Sequence, residues 1–126
     1  MKYLLFVLMA LPFFAFKCGK SSSEKDGFLK GKVIRTSCAS VVVQVLNDDT
    51  VGEDGWKDMS NNDAVYDNVF AVNNICKVGN EIKTGNTIRF KIGQPTQNDC
   101  VVCMMFDGPP KAKYDISEIS VVEGKD

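Results

Sequence analysis

The stretch TIRFKI, residues 87–92, is the part of the sequence that predicts the fold most directly. Its apolar side chains alternate with Arg89 and Lys91, which is the two-residue period of a strand with one face toward a core and the other toward water. The residues just before it, TGN at 84–86, form a turn signal. The sequence therefore predicts a half-buried β-strand that begins after a tight turn.

Further stretches rich in β-branched and aromatic residues predict strands around this one. They are residues 28–35 (FLKGKVIR), 41–46 (VVVQVL), 68–72 (NVFAV), 101–106 (VVCMMF) and 114–122 (YDISEISVV). The apolar phase of the last stretch slips by one residue near Ser117 and Glu118, which indicates a β-bulge. The run 101–106 is continuously apolar, as expected of a central strand. We therefore interpret Met104 and Phe106 as core residues rather than as an adaptable apolar binding surface.

These strands favour an all-β fold. No stretch has the apolar period of a full helix, and at most a short helical turn could form near residues 56–60 or 62–66. Five or six strands in about 100 residues predict a small five- to six-stranded antiparallel barrel, with a β-sandwich as the alternative. The succession KGKVIR, VVVQVL, GNTIRFKI and DISEISVV resembles small OB-fold barrels. That resemblance implies a face that binds an oligonucleotide or an oligosaccharide.

Composition limits the chemistry. The 126 residues include 15 basic and 16 acidic side chains, five cysteines and no histidine. The lack of histidine excludes serine–histidine–aspartate and cysteine–histidine catalysis and HExxH zinc sites. The charge balance lacks the basic surplus that general binding to nucleic acid phosphates requires, so no nucleic acid partner is expected.

Residues 1–17 are predicted to be an export signal. A basic residue at position 2 precedes residues 3–16, which carry no charge and are too few for a transmembrane helix. The sequence AFKC at 15–18, followed by glycine and serines, resembles a bacterial lipoprotein signal with Cys18 as the lipidated residue. Lys17 stands where that family has a small residue, and cleavage near residues 19–23 is the alternative.

Either cleavage predicts a polar tether, residues 18–26, ahead of a single barrel domain, residues 27–126. Loss of Lys2 and Lys17 leaves 13 basic against 16 acidic side chains, a net charge of −3. The protein is therefore expected in the cell envelope, either lipid-anchored or free as a periplasmic or secreted protein. A membrane contact is expected only through a lipid at Cys18.

The other four cysteines suit disulfides in an exported domain. Three pairings are possible, and we favour Cys76 with Cys100 and Cys38 with Cys103. Cys100 and Cys103 also form a CxxC motif, which leaves open a thiol–disulfide redox site or a four-cysteine metal site. Residues three apart on a strand point to opposite faces, which argues against a bond between these two.

The segment 47–67 is long, acidic and predicted to be irregular, and such loops are often functional. It contains Asp54, Asp58 and Trp56, the sole tryptophan. Its carboxylates suit calcium, but the EF-hand spacing is absent, so no metal is predicted. Trp56 either folds back onto the barrel or is an exposed contact for a partner. The candidate binding residues are Trp56, Asp54, Asp58, Arg89 and Lys91.

The sequence thus predicts a monomeric, non-catalytic envelope module without a cofactor, which binds a protein or a glycan. One alternative is a redox or metal-binding protein that uses Cys100 and Cys103. Another is a structural subunit of an envelope complex or an inhibitor of a hydrolase.

Overall fold

The computed structural model describes residues 27–78, 80–97, 103–104 and 106–123. The predicted signal, the tether with Cys18, and Cys100 lie outside the described residues. The elements are β1 (Leu29–Thr36), β2 (Val41–Val45), β3 (Trp56–Asp58), β4 (Ala64–Tyr66), β5 (Val69–Val72), α1 (Ile75–Val78), β6 (Thr87–Gly93) and β7 (Lys113–Glu123). No helix among the described residues has the length and apolar character needed to cross a membrane.

Five of the strands close into a barrel in the order β1-β2-β5-β7-β6, which confirms the predicted small all-β barrel and not the sandwich. The prediction of a fully antiparallel barrel is wrong, because β5 and β7 pair in parallel. Strand direction cannot alternate all the way round a closed ring with an odd number of strands. The parallel pair follows from closing the barrel with five.

The barrel interior is apolar. A cluster of buried side chains fills it, including Phe70 and Phe90, whose ring centroids lie 5.9 Å apart. Gly31 faces this interior. A Cβ atom on Gly31 would lie 2.7 Å from Val43 Cγ1 and 2.9 Å from Phe90 Cε1. Glycine at this position of β1 therefore makes room for the Phe90 ring.

The predicted bulge is confirmed in β7. Arg89 of β6 pairs with Ser120, but Lys91 pairs with Ser117, so β7 holds one extra residue there. Glu118 has a positive φ of 50° at this point. The bulge explains how the apolar phase of the sequence slips while β7 stays in the barrel.

A hairpin made of β3 and β4 lies outside the barrel, and we call residues 56–66 the outer hairpin. Strands, and not the short helical turns that the sequence allowed, form at residues 56–58 and 64–66. Trp56 and Tyr66 are paired across the hairpin and pack with Val42 and Val69 from the barrel strands. Packing onto the barrel therefore gives these three-residue strands a structure that their own sequence does not specify.

The predicted strand at 101–106 is also wrong for its described residues, because Cys103, Met104 and Phe106 belong to no strand. They begin a segment that reaches β7, and we call the described residues 103–104 and 106–112 the anchored loop. The continuous apolar run predicted burial, but this loop lies on the surface of the barrel.

Candidate interaction site

A disulfide fixes the start of the anchored loop. Cys103 is bonded to Cys38, which lies in the turn between β1 and β2, with a Cα–Cα distance of 5.6 Å. This confirms the predicted pairing of Cys38 with Cys103. Cys76 is also disulfide-bonded. Its predicted partner Cys100 lies outside the described residues, so that pairing stays a prediction.

Asp107 fixes the loop to the same turn. The hydroxyl groups of Ser37 and Ser40 donate hydrogen bonds to Asp107 Oδ2 at 2.6 Å and 2.8 Å. Arg35 Nη2 lies 3.4 Å from Asp107 Oδ1. The Arg35 charge and two hydroxyl donors therefore hold the Asp107 carboxylate, which lies 70 and 67 residues further along the chain than Ser37 and Ser40.

Arg35 joins the loop to the outer hairpin. Its side chain is buried, and Nη1 forms an ion pair with Asp58 Oδ1 at 2.9 Å. Its guanidinium also lies 5.1 Å from the centre of the Trp56 ring, which is within cation–π range. One cation thus faces two carboxylates, Asp58 and Asp107, in a water-poor site. Removing it would leave both acids without their counter-ion.

Asp58 is held in its ionised form. Burial alone would raise the pKa of this carboxyl group. Hydrogen bonds from the Ser60 hydroxyl and backbone, together with the bond and charge of Arg35, outweigh burial and lower the pKa below its usual value. The Ser60 hydroxyl donates at 2.6 Å and its backbone N–H at 3.0 Å.

Two further contacts seat the end of the loop. Trp56 Nε1 donates to the carbonyl oxygen of Gly108 at 2.9 Å, and the backbone N–H groups of Lys111 and Ala112 donate to Glu53 Oε1. Gly108 has φ of 62°, and a Cβ there would come within 2.6 Å of Met59 Sδ. Gly108 therefore permits both the turn of the loop and its close approach to the outer hairpin.

Apolar side chains project from this fixed support. Met104 is 100% exposed, Phe106 is 83% exposed and Met59 is 63% exposed. The prediction that Met104 and Phe106 are core residues is therefore wrong. We call these three residues the apolar patch. Val65, also exposed, lies on the outer side of the same hairpin, opposite Lys57.

The five predicted binding residues do not form one site. Asp58 and Trp56 come together around Arg35. Trp56 is 7% exposed and packs on barrel residues, which confirms the alternative that it folds back onto the barrel and excludes an exposed partner contact. Asp54 accepts a hydrogen bond from the backbone N–H of Asn68 and so stabilises a turn. Arg89 and Lys91 lie elsewhere, on the outer side of β6, with Phe28 beneath them.

The acidic segment 47–67 uses its carboxylates within the fold. Asp48 accepts two hydrogen bonds from Thr50, and Asp67 accepts one from the backbone N–H of Gly55. Among the described residues, no three histidine, cysteine or acidic side chains are grouped so as to hold a metal ion. Asp48 and Asp67 thus bond within the segment, whereas Glu53 and Asp58 bind the anchored loop and Arg35.

The sequence interpretation missed Arg35, Ser37, Ser40 and Asp107. The alternation of Leu29, Gly31 and Val33 would place Arg35 inside the barrel, but a register shift after Val33 pairs Arg35 with Val42, which packs under the outer hairpin. The signal that the sequence offered was a cation in the buried phase of a strand, since a buried charge requires a counter-ion. The sequence did not identify the counter-ions, because Asp58 and Asp107 both lie far from Arg35 along the chain.

Comparison with known proteins adds no assignment. No protein-family model matches the chain, and no curated protein is similar to it. The functional proposal therefore comes from the side chains of this chain alone.

Proposed function

We propose that the protein is a non-catalytic interaction module of the cell envelope, which binds another protein through the apolar patch. The observation that carries this proposal is the exposure of Met104 and Phe106 on a loop that is fixed at its base by a disulfide and by Asp107. A loop whose backbone is already fixed loses less conformational freedom when it binds. Exposed apolar side chains that lie together are typical of a protein interaction site.

The topology supports a binding role. In barrel order the five strands follow the path 1-2-3-5-4, and we propose that this is an OB-like barrel. In OB folds, ligands bind near the loop between the first two strands and the loop between the last two. Here those loops are residues 37–40 and 94–112, and the Cys38–Cys103 bond joins them.

A protein partner is favoured over a glycan. Met59, Met104 and Phe106 offer no hydrogen-bonding groups to sugar hydroxyls, whereas they suit an apolar pocket on a protein. The outer hairpin also packs on Val42 and Val69, so it covers barrel residues of β2 and β5 next to the loop. An OB-type ligand face on these strands is thus occupied by the chain itself.

Export is part of the proposal. Its support is the signal-like segment at 1–17 and the disulfide between Cys38 and Cys103, since disulfides persist in oxidising compartments. The alternative of a Cys100–Cys103 redox pair gains no support, because Cys103 is bonded to Cys38.

The proposal is tested by photocrosslinking in the cells that make the protein. A photoreactive phenylalanine analogue replaces Phe106 in one variant and Leu46 in a matched control. Leu46 is also exposed, and it lies at the end of the β1–β2 hairpin opposite the turn that contains Cys38. We expect a discrete protein adduct from position 106 that position 46 does not give. Excess wild-type protein should suppress it, and excess Met104→Ser/Phe106→Ser protein should not.

Both side chains are exposed, so the double serine variant is expected to keep its fold, which circular dichroism checks. The same adducts from positions 46 and 106, or no adduct from position 106, would overturn the proposal.

A further inference from the structure

Four cations share the outer face of two neighbouring strands. Lys30 and Lys32 of β1 alternate with buried residues, and so do Arg89 and Lys91 of β6. The register places Lys30 directly opposite Arg89. We call these four residues the basic face.

The basic face brings like charges together. Like charges directly opposite each other on paired strands repel. Lys91 forms an ion pair with Glu118 at 2.9 Å, and the Phe28 ring contacts both Arg89 and Lys91, so part of this repulsion is offset within the fold. The chain as a whole is slightly acidic, yet it concentrates cations on this face. A local conflict of this kind points to a binding role.

The chain reaches β1 at the basic face. The Phe28 ring, one residue before β1, lies 3.8 Å from the Arg89 guanidinium and 4.8 Å from Lys91 Nζ. The described part begins at Gly27, one residue before Phe28, and twenty-six residues precede it in the sequence. Whatever holds the N-terminal segment at a membrane would therefore bring the basic face close to the bilayer surface.

We propose that the basic face docks on an anionic phospholipid surface, with Lys30, Lys32, Arg89 and Lys91 against the lipid phosphates. This rests on the envelope location in the proposed function but not on the protein partner. Cys38, which holds the anchored loop, follows the far end of the eight-residue β1. A strand of that length spans about 25 Å. Docking through the basic face thus leaves the apolar patch uncovered.

The test measures how fast an amine-reactive acetylating reagent modifies individual lysines. The mature protein, purified from its own envelope, is mixed with vesicles of phosphatidylcholine or of phosphatidylcholine with phosphatidylglycerol, and mass spectrometry reports each site. Lipid anchoring affects both vesicle types equally, so the difference between them isolates the charge effect. Lys57 and Lys111 are the controls, because both are exposed and lie on the outer hairpin and the anchored loop.

We expect phosphatidylglycerol to slow acetylation of Lys30 and Lys32 several-fold while leaving Lys57 and Lys111 unchanged. In the Arg89→Gln variant about five times as much anionic lipid should be needed for the same protection, since one cation near an anionic surface contributes roughly that factor to the binding constant. A Lys57→Gln variant, with the same loss of charge elsewhere, should keep it.

The proposal would be overturned if Lys30 and Lys32 were acetylated at the same rate with both vesicle types. It would also be overturned if phosphatidylglycerol protected Lys57 and Lys111 as much as Lys30 and Lys32. So would equal protection by inorganic phosphate without vesicles, since the face would then bind a small anion. No partner protein is present in this assay, so its failure is distinct from failure of the photocrosslinking experiment.

Discussion

The interior of the barrel and the layer outside it differ in what holds their side chains. The interior is filled by apolar residues from all five barrel strands, with Phe70 and Phe90 at its centre. The outer hairpin and the anchored loop depend on a few specific contacts, chiefly Arg35 with its two acids, the Cys38–Cys103 bond and the Trp56 indole. The barrel should therefore respond to loss of volume, and the outer layer to loss of a single bond or charge.

The largest effect is expected from a cavity in the barrel. Phe90→Ala should lower the free energy of unfolding by about 3–5 kcal/mol, because it removes a fully buried ring at the point where Gly31 makes room for it. Urea unfolding followed by circular dichroism measures this. Leu46→Ala, at an exposed position, is the matched control and should change stability by less than about 0.5 kcal/mol. Similar losses in both variants would mean that the barrel interior is not the main source of stability.

Removal of the Cys38–Cys103 disulfide should lower stability less than the cavity does, and it should affect the outer layer before the barrel. The Cys38→Ser/Cys103→Ser variant should lose about 2–4 kcal/mol, since this disulfide closes a loop with a sequence separation of 65. Hydrogen exchange should increase first in the outer hairpin and the anchored loop, with the barrel strands still protected. If hydrogen exchange rises equally in β1, β2 and β6, the outer layer and the barrel form one cooperative unit and do not open separately.

The smallest effect is expected from acid. The pKa of Asp58 in the folded protein lies below its usual 3.8, so ionised Asp58 stabilises the fold above pH 3.8. That stabilisation is lost as the pH falls through the lowered pKa. Trp56, the sole tryptophan, should change its fluorescence in this range before circular dichroism reports loss of the barrel.

The Asp58→Asn variant is the control for the acid effect. It should be less stable at neutral pH and should show a weaker change of Trp56 fluorescence on acidification. Asp115 also has a lowered pKa, because hydrogen bonds from Thr96 and Asn73 outweigh its burial, and so it adds acid sensitivity in the barrel. A fluorescence change in the Asp58→Asn variant that matches the wild type would assign the effect to other carboxylates.

The barrel strands were predictable from two signals, a concentration of β-branched and aromatic residues and, in β1 and β6, the two-residue period that one buried face imposes. Together these signals located all five barrel strands, and a slip of the period located the bulge near Glu118. Strand pairing was not predictable, because β7 lies between β5 and β6 and local sequence does not specify neighbours. The run at 101–106 was misinterpreted, since an apolar composition does not distinguish a core strand from a loop that exposes Met104 and Phe106.

The site was predicted only in part. Trp56 and Asp58 were identified by their residue types, but their partners Arg35 and Gly108 come from distant parts of the chain. Contacts over such separations depend on the folded topology. The pairing of Cys38 with Cys103 was predicted as the pair left over once Cys76 and Cys100, both in polar contexts, were matched, and the structure confirms it.

The most direct test of the fixed outer layer is the exchange rate of the Trp56 indole N–H, followed by NMR in the oxidised native protein. This proton is donated to Gly108 and joins the outer hairpin to the anchored loop. A fixed layer predicts exchange slowed by orders of magnitude relative to a free indole, and clear acceleration when Cys38 and Cys103 are replaced by serine. Exchange at the rate of a free indole in the oxidised protein would contradict a fixed outer layer, since the apolar patch would then have no rigid support.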